Sequence, residues 1–265
     1  MVIASKKTAT MNWRSAAARR LFRLAGNPSN IHDAILIAAN SFRDGVPCPP
    51  TDLEAIGRRV NIRAVDLEIL PFSGELRRDG DGFKIVCSKH LSPTRRRFTI
   101  AHEIGHAILE TTGPRCPRFG GELERICNLL ATELLMPETL FVQRVGKDLT
   151  LQRIFELANL FSTSLSSTAI RCAELLGIST FGTDGRIVSW GYGIVKKGST
   201  FSWDEEMRRT IERASNGQAG QESVYLRSRT WTGEWLLEWA PLGRDGKAIF
   251  LLQPNRLATQ IQAHR

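Results

Sequence analysis

The segment His102-Glu103-Ile104-Gly105-His106 has the residue types and the spacing for metal chemistry. On a helix, residues four positions apart lie on one face, so both imidazoles point toward the same place. That geometry suits two nitrogen ligands of one tetrahedral zinc ion. Glu103 lies beside this face, where its carboxylate can hold a water molecule and accept its proton. Such a site makes a nucleophile from water at neutral pH and hydrolyses an amide.

The alternative for the same segment is a pair of helical histidines whose ring nitrogens meet backbone carbonyls or solvent. The chain has only five histidines, so a chance pairing at this spacing is uncommon. The five-residue pattern still has false positives when it stands alone. The balance favours a zinc site, and a third protein ligand is needed to complete it.

The third ligand is predicted on the helix that follows the histidines. Glu124 is the preferred candidate, because it follows His106 by enough residues for a loop and a returning helix. Asn128 lies four residues later on the same helical face, where its amide can bond the outer ring nitrogen of a ligand histidine. Glu133 is the alternative ligand. Glu122 lies at the helix start, where a carboxylate complements the helix dipole.

Two predicted helices carry these residues. Ser92-Pro93 reads as an N-cap followed by the first helical position, so a helix should run from there to about Leu109. The segment 112–114 should stop it, and a second helix should run over about 122–135. Before them, we expect a helix over 30–42, a helix capped by Thr51, a strand over 61–70 and a hairpin over 76–87.

The amino-acid composition limits the classes of function that this protein can have. The 265 residues are 42% hydrophobic, which is enough for one large domain or two modest ones. No apolar run is long enough for a membrane span and no signal peptide opens the chain, so we expect a cytoplasmic protein with no membrane partner. The five cysteines include no C-x-x-C pair, which argues against a disulfide scaffold or a cysteine-rich structural zinc site. Cys116 remains an alternative thiolate ligand, although a loop cysteine beside prolines is more often inert.

The net charge of +9 invites a nucleic-acid interpretation, so its location matters. Six basic residues precede the first acidic residue, Asp33, which leaves +9 − 6 = +3 for the rest of the chain. That remainder is too small to argue for DNA binding by itself. The N-terminal segment is expected to be a poorly ordered basic extension, with an amphipathic helix over 11–24 as the alternative.

The stretch from Arg95 to His106, with Glu124-x-x-x-Asn128 and the segment 134–137, resembles the ImmA/IrrE family of metallopeptidases. The resemblance covers about residues 30–177. It departs in detail at Cys127, where the family usually has alanine, and near 130–131, where the family usually has Phe-Ala.

The resemblance implies a zinc peptidase that cleaves a narrow protein target. In that family the target is typically a helix-turn-helix repressor of phage, mobile-element or stress-response genes. By position, His102, His106 and Glu124 would be the metal ligands and Glu103 the general base. No oxyanion stabiliser is assigned. The candidates are His32, His90, Tyr192, Tyr225 and the arginines at 95–97, which are more often structural or solvated.

The predicted fold class is α+β. A mainly helical metallopeptidase core with a small β-sheet is expected over 29–148, after the extension over 1–28. A helix-turn-helix-like segment packed with the core is expected over 149–178, and a separate small α+β accessory domain over 179–265. Strands are expected near 187–195, 224–231 and 248–252, a helix over 204–214, and core positions for Trp235 and Trp239. The more specific functional hypothesis for this last domain is that it is a sensor or substrate-recognition module.

Two rival functions remain open. In one, the protein is a DNA-binding regulator with a structural metal site, in which the second helix over 166–176 reads bases and the basic N-terminus touches phosphate. That helix offers serine, threonine and alanine with Arg171 as its one basic residue, so a scaffold role is favoured. In the other, the protein is a partner-binding module with a vestigial site, which the presence of Glu103 argues against.

Overall fold

The computed structural model describes residues 13–110, 121–146, 148–184, 187–193, 205–227, 232–243 and 245–254. The fold is mixed α+β, as predicted. The described residues form two compact units. The N-terminal unit contains 13–144 and 158–164, and the C-terminal unit contains 145–157 and the residues from 165 onward. Among the described residues, no helix has both the length and the apolar character that a membrane span requires.

The N-terminal unit surrounds a three-stranded sheet with helices. Its elements are α1 (Ala16–Leu24), α2 (Ile31–Arg43), α3 (Leu53–Arg59), β1 (Ile62–Glu68), β2 (Gly74–Asp79), β3 (Gly82–Ser88), α4 (Pro93–Ile108), α5 (Glu122–Leu135) and α6 (Glu138–Val145). The strand order is β1-β3-β2, with β3 parallel to β1 and antiparallel to β2. The strand β2 therefore lies at an edge of this sheet.

The predicted start of α4 is confirmed by its cap. The Ser92 hydroxyl accepts a hydrogen bond from the backbone N–H of Arg95 at 3.4 Å, and Pro93 occupies the first turn. The helix then packs on β2 and β3 and crosses α5. The crossing is close at Gly105, where an added Cβ would lie 3.2 Å from the Cα of Cys127. A glycine at this position lets the two helices approach within side-chain reach of each other.

The N-terminal segment differs from the expected poorly ordered extension. Residues 1–12 lie outside the described residues, but 16–24 form α1, which matches the helical alternative. Ala17, Ala18 and Leu21 are buried, and the helix packs against α2 and α5. The apolar stripe of this basic segment is thus wide enough to bury one helical face.

The cap of α3 also differs from the prediction. Asp52, one residue after the predicted cap, accepts a hydrogen bond from the N–H of Ala55 at 3.0 Å. The Thr51 hydroxyl instead donates to the backbone carbonyl of Leu134 at 2.7 Å, and Thr51 is buried. A tertiary hydrogen bond has taken the side chain that the local pattern assigned to the helix.

The helices α7 (Leu151–Phe161) and α8 (Leu165–Leu176) have the predicted helix-turn-helix spacing. Within the C-terminal unit, the Glu238 carboxylate accepts a hydrogen bond from the N–H of Leu151 at the start of α7, at 3.0 Å. The helix α8 packs on the first strand of the C-terminal sheet. The end of α7 and the turn after it, 158–164, group with the N-terminal unit, where the Phe161 ring lies 5.2 Å from the Phe141 ring. The segments 145–157 and 165–178 group with the C-terminal strands.

The other described residues of the C-terminal unit form a five-stranded antiparallel sheet and the helix α9 (Glu205–Ser215). The strands are β4 (Ser179–Asp184), β5 (Ile187–Tyr192), β6 (Gly220–Arg227), β7 (Thr232–Pro241) and β8 (Lys247–Pro254). The strand order is β5-β4-β8-β7-β6. Trp235 and Trp239 are buried in its core, as predicted. The strands β4 and β7 were missed, because β4 is short and interrupted by Gly182, and residues four apart such as Trp235 and Trp239 share a face in a strand as well as in a helix.

Candidate metal centre

The helices α4 and α5 bring His102, His106 and Glu124 together. The two Nε2 atoms of the histidines lie 3.2 Å apart. The Glu124 carboxylate lies 3.2 Å from Nε2 of His102 through Oε2 and 3.5 Å from Nε2 of His106 through Oε1. Among the described residues, these three form the group of potential ligands whose donor atoms converge within 4.8 Å.

These separations fit a tetrahedral metal ion. Zinc bonds of about 2.0–2.1 Å separate the ligand atoms of a regular tetrahedron by about 3.3 Å, which is close to all three distances. Two neutral imidazoles and one carboxylate also match a catalytic zinc site, which has three protein ligands and an open fourth position. The residues present therefore fit zinc.

Asn128 holds the ring of His102 in the orientation that ligation needs. Its Oδ1 lies 2.9 Å from Nδ1 of His102. An amide oxygen only accepts hydrogen bonds, so Nδ1 carries the proton and donates it. The lone pair of Nε2 is then left facing His106 and Glu124.

Glu103 lies next to this group on α4, and its side chain is buried. Burial, followed by the negative charges of Glu124 and Glu75, raises the pKa of the Glu103 carboxyl to about 8. A hydrogen bond from the backbone of Leu76 on β2 opposes part of this rise in the pKa. Positive charge at the centre of the ligand group would favour the carboxylate form, which is the form that accepts a proton.

The histidines are held in the neutral form that binds metals. Burial lowers the pKa of His106 to about 4, with a smaller effect from the neighbouring His102. Burial also lowers the pKa of His102, against the opposing charge of Glu124. The positive charge of Arg95 adds a small decrease in the pKa of His102. Burial therefore favours the uncharged form of both rings.

The other acidic candidates lie apart from the three converging ligands. The Glu133 carboxylate is buried and accepts a hydrogen bond from the N–H of Glu138 at 2.9 Å, at the start of α6. The Glu122 carboxylate accepts hydrogen bonds from the N–H groups of Arg14 and Ser15, before α1. Each of these carboxylates therefore accepts hydrogen bonds from backbone N–H groups near the start of a helix. Cys116 lies outside the described residues.

The candidates for oxyanion stabilisation are dispersed. His32 on α2 pairs with Glu138 at 3.2 Å. Tyr192 and Tyr225 lie on β5 and β6 of the C-terminal unit, and His90 is exposed after β3. The sequence did not predict the contribution of β2 to the site. The group concerned is a backbone N–H, which no residue type marks in a sequence.

Comparisons with known proteins match the segment that contains these residues. Residues 58–173 match a family described as the IrrE N-terminal-like domain, and this range contains all the candidate ligands. The chain is 33% identical over 129 residues to the radiation response metalloprotease IrrE of Deinococcus radiodurans, which covers 43% of this chain and 38% of that protein. The protein of the same name from Deinococcus deserti is 32% identical over 111 residues, covering 36% of this chain and 38% of that protein.

The match over residues 58–173 covers less than half of this chain, and the predicted resemblance to the ImmA/IrrE family is confirmed. The matched segments span about two fifths of the length of these curated relatives. A solved Mycobacterium tuberculosis transcriptional regulator superposes with a TM-score of 0.54 at 15% identity, covering 93% of this chain and 84% of that one. At that identity the likeness concerns the fold alone.

Proposed function

We propose that this protein is a zinc-dependent endopeptidase that cleaves a specific protein target, a helix-turn-helix repressor of transcription, and so relieves repression. The observation that carries the proposal is the convergence of His102, His106 and Glu124, with the buried Glu103 beside them. The resemblance to IrrE metalloproteases supports the reaction class. The repressor target is the typical target of the ImmA/IrrE family.

The proposed chemistry assigns a role to each side chain. His102, His106 and Glu124 would hold the zinc ion, and Asn128 would orient His102. When bound, zinc supplies the Lewis acidity that makes water nucleophilic at neutral pH. Glu103 takes the proton from the attacking water and delivers it to the departing amine, for which a pKa near neutrality is suited.

The peptide substrate would lie along β2. This strand is at the sheet edge and contacts α4, and the backbone of Leu76 reaches the Glu103 carboxylate. An edge strand offers unpaired backbone groups that an extended peptide can join. A peptide placed there brings one of its bonds to the general base.

The test compares the wild type with Glu103→Gln and His106→Ala. Elemental analysis should find about one zinc per chain in the wild type and Glu103→Gln, and none in His106→Ala. Incubation with a native bacterial proteome, followed by sequencing of new N-termini, should find cleavage with the wild type alone. Loss of a general base costs about 10²–10⁴-fold in rate. Undiminished cleavage by Glu103→Gln would overturn the mechanism, and a zinc-free, folded wild type would overturn the site.

The DNA-binding alternative has less support in the structure. Arg171, the one basic residue of α8, is buried, and no side chain of α8 reaches the exposure typical of a surface residue. A recognition helix needs several polar side chains free to reach base edges. Salt-dependent binding of duplex DNA that persists in Glu103→Gln would favour this alternative.

A further inference from the structure

The three consecutive arginines at the start of α4 have different environments. The Arg97 guanidinium donates a hydrogen bond to the backbone carbonyl of Thr51 at 2.9 Å, and burial lowers its pKa. The Arg96 guanidinium donates to the carbonyls of Lys89 and Leu91 at 3.5 and 3.4 Å. These two side chains hold the loops that flank the helix. Their role is structural, as the sequence favours.

Arg95 differs in its exposure and in its partner. Its side chain is exposed, stacks over the Phe98 ring at 5.5 Å and donates one hydrogen bond, at 3.3 Å, to the Ser73 hydroxyl and none to a backbone carbonyl of the described residues. Within the described part of the chain, no carboxylate pairs with it. Arg95, Phe98, His102 and His106 follow each other at spacings of three and four residues, so they share one face of α4. An uncompensated guanidinium therefore lies on the helix face that carries the ligand histidines.

The strand β2 and the residue before it run beside this helix in the same direction. Ser73 meets Arg95, an added Cβ at Gly74 would touch Thr99, and the backbone of Leu76 meets Glu103. The rise from Arg95 to Glu103 along a helix is about 12 Å. Three residues of an extended chain cover about 10 Å. The length of extended chain from Ser73 to Leu76 therefore matches the length of helix from Arg95 to Glu103 to within the length of one residue.

We propose that Arg95 determines specificity by binding an acidic side chain of the substrate, three residues from the cleaved peptide bond. The inference rests on the proposed function, with the substrate extended along β2. When the cleaved bond of an extended substrate lies beside Leu76, the substrate residue three positions from that bond lies beside Ser73. Its side chain is then next to the Arg95 guanidinium. A guanidinium selects a carboxylate by charge and by paired hydrogen bonds, and stacking on Phe98 holds it ready.

The experiment uses the zinc-loaded full chain. Peptides from a digested bacterial proteome are incubated with the wild type, and the cleaved bonds are mapped by mass spectrometry. Asp and Glu should be enriched at the third residue on one side of the bond. A cleaved peptide is then synthesised with Glu or Lys at that position. The wild type should prefer the Glu peptide by about 3–10-fold in kcat/KM, the range for an exposed, partly preorganised ion pair.

Variants then assign the preference to one side chain. Arg95→Glu should reverse the preference, and Arg95→Lys should keep most of it. The matched control is Arg58→Glu, which changes the same charge on the surface of α3, where Arg58 pairs with Glu54. It should leave the preference unchanged. In the Glu103→Gln background, fluorescence anisotropy of the labelled Glu peptide should show the same order of binding without turnover.

The outcomes separate this inference from the proposed function. Cleavage without an acidic preference, or a preference that persists in Arg95→Glu, overturns the role of Arg95 and leaves the peptidase intact. Absence of cleavage by the wild type on every peptide and on the native proteome overturns both.

Discussion

The N-terminal unit and the C-terminal unit each contain a cluster of polar side chains, and the two clusters are balanced differently. In the C-terminal unit, the Arg213 guanidinium binds the Glu222 carboxylate at 2.7 Å and lies over the Trp239 ring at 4.9 Å. The Thr210 hydroxyl donates to the other oxygen of Glu222. Each acceptor there meets a donor, and the negative charge meets a positive one.

The cluster on α4 and α5 lacks this balance. Burial and the negative charge of Glu124 raise the pKa of Glu103, and burial lowers the pKa of both histidines. The Nε2 atoms of His102 and His106 lie 3.2 Å apart, and each lies within 3.5 Å of a Glu124 oxygen. Converging metal-ligand atoms with perturbed pKa values indicate a functional site, whereas a cluster of paired charges indicates a structural contact.

The largest effect is expected from removing the group that orients His102. Asn128→Ala should weaken zinc binding about 10–100-fold, because the ring loses the hydrogen bond that fixes its tautomer and orientation. Competition with a chromophoric chelator measures the change. Glu222→Gln is the matched control in the C-terminal cluster, and it should leave zinc affinity unchanged. Equal losses in the two variants would contradict the distinction between the clusters.

A second effect should appear in the pH dependence of stability after zinc removal. The pKa of Glu103 is about 8 in the folded state against an ordinary 4.5, so the folded state keeps a proton that the unfolded chain releases. The free energy of unfolding should fall as the pH rises through this window, by at most about 1.4 kcal/mol per pH unit. The lowered pKa of His106, about 4, acts in the opposite direction below pH 6.5.

The net fall is therefore expected between pH 6.5 and 8. Urea unfolding of the EDTA-treated protein at these two values measures it. Glu103→Gln should abolish the fall, and Glu222→Gln should retain it. A fall that is the same in all three proteins would mean that Glu103 is not the titrating group.

The smallest effect concerns the helix crossing that brings the ligands together. Gly105→Ala should destabilise the protein by about 1 kcal/mol and weaken zinc binding, because its Cβ would press on the backbone of Cys127. Gly57→Ala on α3 is the matched control. Its Cβ would make ordinary contact with Ile62 at 3.6 Å, so it should stabilise by about 0.4–1 kcal/mol. Thermal unfolding and chelator competition distinguish the two substitutions, and a stabilising Gly105→Ala would contradict the close crossing.

Much of the N-terminal unit was predictable because its signals are local. Ser92-Pro93 started α4 where predicted, and the turn at 79–82 joined the predicted hairpin. Predictions failed where a distant partner competed, as when Leu134 took the hydroxyl of Thr51 from the predicted cap. The pairing of β4 with β8 is likewise non-local, so no short pattern revealed that partner, whereas β7 pairs with its sequence neighbours β6 and β8.

The sequence by itself determined the two histidines, the adjacent glutamate and the family to which they point, since helical periodicity places residues four apart on one face. The sequence favoured Glu124 among three acidic residues that are chemically alike, and the tertiary structure placed its carboxylate beside the histidines, because only helix packing separates the positions of Glu122, Glu124 and Glu133. It also decided which of three adjacent arginines is exposed and which two donate hydrogen bonds to backbone carbonyls. That depends on the loops each side chain meets, which lie far away in the sequence.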